Sequence, residues 1–108
     1  MAKRKVIYLS GPITGVERYW EPFERAADGV RAKGHIAISP TMHPQGLTNE
    51  QYMRLCLAQI DVADAVLFLD GWACSQGSVV EWYYAHYIDK TMLYKLDELE
   101  AIPWEVTR

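Results

Sequence analysis

The sequence predicts an α/β protein, a three-layer sandwich of Rossmann or flavodoxin type around a parallel sheet of four to five strands. Two observations carry this. Val6-Ile7-Tyr8-Leu9 and Ala65-Val66-Leu67-Phe68-Leu69 are short, unbroken apolar runs, the pattern of strands buried on both faces. Around them lie stretches with the three- and four-residue spacing of amphipathic helices, so that strand and helix alternate along the chain. That alternation calls for right-handed crossovers between parallel strands.

The elements follow in order. The first strand ends in Ser10-Gly11-Pro12, a sharp stop. From Tyr19 to Lys33, Trp20, Phe23, Ala27 and Val30 recur at helical spacing with Glu21, Glu24, Arg25 and Arg31 on the other face, and Gly34 closes the helix. His35 to Ser39 is β-like and halts at Pro40, after which Thr41 to Leu47 reads as loop. Thr48-Asn49-Glu50-Gln51 has the form of a capping box, and Tyr52, Cys56, Leu57 and Ile60 form one stripe behind it. After the strand at 65–69, Asp70-Gly71-Trp72 turns out, and a helix runs from Ser78 to about Ile88. Met92-Leu93-Tyr94 is a shorter fourth strand, followed by a tail with Pro103 and Trp104 that the pattern does not place.

A chain of 108 residues has room for one domain, 1–108. The formal charge is −3 and the basic residues form no stripe, which gives no support to binding a nucleic-acid strand. Cys56 and Cys74 match no metal-ligand spacing, and free thiols with no signal peptide fit a reducing cytoplasm. No apolar stretch approaches the ~20 residues of a membrane span. Four Trp and seven Tyr are more aromatic surface than a monomer of this size needs, so self-association as a dimer or tetramer is expected. The helix bearing Trp82, Tyr83, Tyr84 and Tyr87 is too aromatic to face water on any side. No metal and no cofactor is expected.

In doubly wound sheets, ligands bind outside the carboxyl ends of the strands, at the switch in strand order. The turns that matter are therefore Ser10 to Gly15, Pro40 to Leu47 and Asp70 to Gly77. Ser75-Gln76-Gly77-Ser78 joins a strand to a helix, so its N–H groups and the positive end of the helix dipole suit an anion. Glu81 follows in an otherwise apolar helix. One explanation is structural, because Ser78-x-x-Glu81 is itself a capping box in which Glu81 bonds the N–H of Ser78. The other makes Glu81 a nucleophile, held ionised at the crevice like the carboxylates that form glycosyl intermediates. The two can coexist. Gly11 and Gly15 let backbone approach a ligand closely, but this turn is neither a dinucleotide fingerprint nor a P-loop.

Tyr8-Leu-Ser-Gly-Pro-Ile-Thr-Gly15, the Trp and Phe of the first helix, Gly34-His35 with Pro40, Asp64-Ala-Val, and Gly71-Trp72-x-x-Ser75-x-Gly77-x-x-x-Glu81-x-x-x-Ala85 together resemble the nucleoside 2-deoxyribosyltransferase superfamily over residues 5 to 95. The resemblance is nearest to its small bacterial and phage members and to the nucleoside 5′-monophosphate N-hydrolases. It implies a retaining N-glycosidic mechanism on a nucleoside or nucleotide: Glu81 attacks the anomeric carbon, the base departs, and water or another base takes the sugar. It implies that Tyr8 orients Glu81, that Gly11, Pro12 and Ile13 line the sugar and base pocket, that Ser75, Gly77 and Ser78 meet the 5′ end, and that sites are built across a homo-oligomer interface. An ordinary reading of Tyr8 is a packed strand aromatic with a satisfied hydroxyl. Ser75 is the residue type of the monophosphate hydrolases, whereas Thr14 stands where they tend to carry Arg. The family's base-contacting Asp is replaced by Cys56, a poorer donor. Asp61 and Asp64 lie too near the amino-terminal edge to substitute. Asp70 and His43 are better placed, each with an ordinary role as turn or loop residue. The alternative to an enzyme is a non-catalytic nucleotide-binding protein, a sensor or sponge, that has lost this acid.

Overall fold

The computed structural model describes residues 4–101; the tail with Pro103 and Trp104 lies outside them. Four strands, β1 (Val6–Ser10), β2 (Ile36–Ile38), β3 (Ala65–Phe68) and β4 (Thr91–Leu93), pair in parallel in the order β2-β1-β3-β4. Tyr8 is in register with Ile38 on one side and Val66 on the other, and Ser10 with Phe68. The chain moves outward from β1 to β2, then returns across β1 to reach β3, so the switch point lies between β1 and β3.

Period-two alternation along the strands sorts the core into two layers. Ile7 and Leu9 of β1, Ala65 and Leu67 of β3, and Leu93 of β4 pack with Phe23, Ala27 and Val30 of α1 (Trp20–Ala32). Tyr8, Val66 and Phe68 face the other way, toward Cys56 and Ile60 of α2 (Asn49–Val62) and Ala85 of α3 (Gln76–Tyr87). A short helix, α4 (Glu98–Ala101), adds Leu99 to the α1 layer. The three-layer α/β sandwich is therefore the architecture observed, with four strands among the described residues.

Local signals explain most boundaries. Thr48 caps α2 through the expected box, its Oγ1 accepting from Gln51 N–H and its own N–H donating to Gln51 Oε1. Gly34, at φ +88°, ends α1 with N–H groups of Gly34 and His35 returning to Arg31 and Val30 carbonyls. Four expectations are corrected. Trp20, the first residue of α1, is 42 % exposed, edge-on to Tyr19 and under the Arg18 guanidinium. The last strand and the third helix also start earlier than the sequence suggested, at Thr91 and Gln76, and the loop after β2 opens with a 3-10 turn at Pro40–Met42.

α3 closes on the same motif as α1, Asp89 and Lys90 N–H groups returning to His86 and Ala85 carbonyls. Here Asp89 occupies the left-handed position, φ 58°, which glycine adopts without steric cost. Asp89→Gly is expected to stabilise the fold by about 0.5–1 kcal/mol, read as a rise of a few degrees in the thermal midpoint.

Candidate active site

The carboxyl ends of β1 and β3 and the first turns of α3 meet around Glu81. β1 runs parallel to β3 and carries Tyr8 and Ser10 on the same face, two residues apart, because successive strand side chains alternate. α3 is turned so that Ser78, Glu81 and Ala85, spaced three and four apart, face the sheet. Glu81 is 6 % exposed. Its Oε1 accepts from Ser10 Oγ at 2.7 Å and from Tyr8 OH at 3.1 Å. The Cys56 thiol of α2 lies against both Tyr8 and Glu81.

This geometry decides the role of Glu81 in the helix. The residue with extended backbone at the start of α3 is Ser75, whose Oγ accepts from Ser78 N–H at 3.4 Å. Ser78 is thus inside the first turn, Glu81 is in the second, and its carboxyl points into the protein rather than back to an N-cap. The Ser78–Glu81 capping box is corrected on that ground. Tyr8 is fully buried and its hydroxyl is satisfied by Glu81, which is what the ordinary reading of a packed strand aromatic expects.

The electrostatics follow from burial. Desolvation raises the Glu81 pKa above the usual carboxylate value, opposed by the hydrogen bonds from Ser10, Tyr8 and Cys56. Burial likewise pushes the Cys56 thiol up to about 11, helped by the neighbouring Glu81 charge. Tyr8 is raised well above its ordinary value by burial and then by Glu81. The result is one carboxylate among three proton donors that hold their protons.

The surrounding turns close in as their glycines permit. A side chain at Gly11 would come within 3.1 Å of Leu69 Cβ, and one at Gly71, φ +86°, within 3.4 Å of Pro12 Cγ, so the turns after β1 and β3 are in contact. Ile13 packs against the α1 layer, and Thr14 is exposed. Ser75 and Gly77 are half-buried at the start of α3, where a side chain at Gly77 would come within 3.9 Å of Met53 Cε of α2. The Ser78 hydroxyl is buried with no hydrogen-bond partner among the described residues. His43 Nε2 is 2.9 Å from Gln59 Oε1, which fastens the loop after β2 to α2. Asp70 stands exposed in its turn. Asp61 and Asp64 are structural, accepting from Tyr84 OH and Val6 N–H.

Ser10 is the participant that sequence reasoning missed. The signal was present: Tyr8 and Ser10 share a face by alternation, so whatever Tyr8 touches, Ser10 can touch. A cavity of ≈ 380 Å³ lies elsewhere, on the α1 side, lined by Phe23, Ala27, Arg31, Ala37, Thr41 and Met42 among others, and does not include Glu81. The chemistry favours the Glu81 crevice, because the charged side chains lining the cavity, Glu24, Asp28 and Arg31, are exposed to solvent. Among the described residues there is no cluster of three side chains able to hold a metal ion, and no helix long and apolar enough to cross a membrane.

A doubly wound parallel sheet with a buried, doubly hydrogen-bonded carboxylate at its switch point defines the class of protein. Within that class the chain belongs to the family described as Domain of unknown function (DUF4406), whose model matches residues 5–94. Its fold is similar to that of a solved structure, the 2-desoxiribosyltransferase from Leishmania mexicana, with a TM-score of 0.67 at 18 % identity. That likeness covers 82 % of this chain but 62 % of the other, so this chain spans under two thirds of that protein's length. A comparison with curated proteins finds no match.

The raised pKa has a consequence for stability. A carboxyl whose folded pKa exceeds its unfolded value contributes stability below the unfolded value, about 4.3, that is lost as pH rises through the folded one. Glu81→Gln removes that loss while keeping a carbonyl oxygen for Ser10 and Tyr8. The thermal midpoint of the variant minus that of the parent should therefore increase from pH 4.5 to pH 8, by a few degrees. A difference that falls with pH would show that burial is not what dominates Glu81.

Proposed function

We propose that this protein cleaves or transfers the N-glycosidic bond of a nucleoside 5′-monophosphate, or less readily of a nucleoside, through a covalent intermediate on Glu81. The observation that carries this reading is the buried Glu81 carboxylate fixed by Tyr8 and Ser10 at the carboxyl edge of β1. A carboxylate oxygen attacks the anomeric carbon, and the carbon–nitrogen bond breaks with its electron pair leaving on the base. Water, or the nitrogen of a second base, then takes the sugar with net retention. The fold shared with a 2-desoxiribosyltransferase supports the assignment of the ligand to this crevice.

A monophosphate is favoured by the start of α3. The first N–H groups of a helix have no partner within it, and the dipole adds partial positive charge there. Ser75 and the unpartnered Ser78 hydroxyl stand in the same turn. The protein acts in this reading as a cytoplasmic homo-oligomer, dimer or tetramer. Its support is the outer face of α3, where Val80, Tyr83 and Tyr87 form an exposed apolar stripe, Tyr87 being 86 % exposed.

One observation favours a second reading, a non-catalytic nucleotide-binding protein. Cys56, in the place where the resemblance expects a base-contacting acid, holds its proton to about pH 11 and is packed against Glu81. Incubation with a panel of nucleosides and monophosphates, with free base and ligand binding followed in parallel, separates the two readings.

Three outcomes are expected. Glu81→Gln abolishes release of base while ligand binding persists, and retained turnover would remove Glu81 from the mechanism. A nucleoside monophosphate raises the thermal midpoint more than the matching nucleoside, and equal protection would count against phosphate binding at Ser75 to Ser78. Cys56→Asp lowers stability by roughly 1–3 kcal/mol, since it buries a second carboxyl beside the first. It should also speed base release by about 10²- to 10⁴-fold. A folded, ligand-binding Cys56→Asp variant with no gain would favour the binding protein.

A further inference from the structure

Two hydroxyls converge on one oxygen of Glu81. Ser10 Oγ lies 2.7 Å and Tyr8 OH 3.1 Å from Oε1, and neither reaches Oε2. Ser10 is fully buried, so its hydroxyl must spend its proton on a partner inside the protein. Its separation from Oε1 is at the optimum for an O–H···O bond and shorter than the Tyr8 contact. No ion pair involves Glu81 among the described residues. The polar groups that face it are Tyr8 and Ser10 from β1 and Cys56 from α2, while β3 offers Val66 and Phe68 and α3 has Ser78 one turn away. These hydroxyl and thiol donors, with no cation among the described residues to help, therefore oppose the burial that disfavours the charged form of this carboxylate.

A carboxylate with one donor pivots about that bond. A second donor approaching from two residues further along a strand fixes the carboxyl plane, because the two backbone positions are roughly 6.6 Å apart along β1. We propose that Ser10 is a positioning residue: with Tyr8 it clamps Oε1 and so presents Oε2 as the oxygen that attacks the anomeric carbon. The proposal rests on the reading of Glu81 as nucleophile. Ser10 acts on the substrate only through Glu81, and its short bond makes it the stronger of the two donors.

The test starts without substrate. Protein labelled with ¹³C at the glutamate carboxyl carbons is titrated by NMR as the parent and as Ser10→Ala, Ser10→Cys and Tyr8→Phe, with the Glu81 signal assigned by its loss in Glu81→Gln. Ser10→Ala should move the Glu81 midpoint upward by about one pH unit, the size of a lost hydrogen bond to a charged group. Tyr8→Phe should move it less, and Ser10→Cys, with a weak S–H donor, should fall between parent and Ser10→Ala. Alanine is smaller than serine, and a circular dichroism spectrum unchanged from the parent identifies a folded variant.

In turnover on a nucleoside monophosphate, Ser10→Ala should lower kcat about tenfold or more with KM within about twofold. The acidic limb of its pH profile should shift by the same amount as the NMR midpoint. An unmoved midpoint in Ser10→Ala, or a moved midpoint with kcat unchanged, overturns the proposal for Ser10 alone. A parent protein that releases no base from any nucleoside or monophosphate, while Ser10→Ala still moves the midpoint, overturns the nucleophile reading and with it the attacking role of Oε2.

Discussion

An ionised carboxylate placed in an apolar layer loses its hydration, and the loss is tolerable only where fixed donors replace the water. Glu81 is in that position, 6 % exposed and held among Tyr8, Ser10 and Cys56. The hydroxyls of Ser10 and Tyr8 supply the replacement. The α2–α3 side of the sheet is organised to deliver it. β1 must present those residues on the same face as α3, α3 must turn its 78–81–85 edge inward, and α2 must leave room, which the small side chain of Cys56 does.

The rest of the crevice depends on the same arrangement. Strand order β2-β1-β3-β4 makes β1 and β3 neighbours, and α3 starts at that carboxyl edge. The turns stay close because Gly11 yields to Leu69 and Gly71 to Pro12. Trp72, leaving β3, stacks on Trp82 at 6.1 Å and lies 5.0 Å from Phe68, which makes the wall on the β4 side aromatic. Low polarity around Glu81 strengthens any electrostatic interaction its carboxyl makes there.

Much of the fold was legible because its signals are local. The apolar runs of β1 and β3, the Thr48 cap and the Gly34 stop each act within a few residues, and each stands where the sequence put it. The errors arose where two local solutions compete. Ser75 and Ser78 are both acceptable N-caps, and only the path of the chain out of β3 selects Ser75, which sends Glu81 inward instead of back to the helix end. Trp20 fitted the α1 stripe by spacing, yet at the first position of the helix it stays 42 % exposed.

By itself, then, the sequence determined the alternation of strands and helices and the position of Glu81 near a carboxyl edge, since periodicity and turn chemistry are properties of neighbouring residues. Only the tertiary structure decided which groups meet Glu81. Ser10 and Tyr8 are separated from it by 71 and 73 residues, and the convergence of their hydroxyls on one oxygen is set by strand register and helix rotation, which no local pattern encodes.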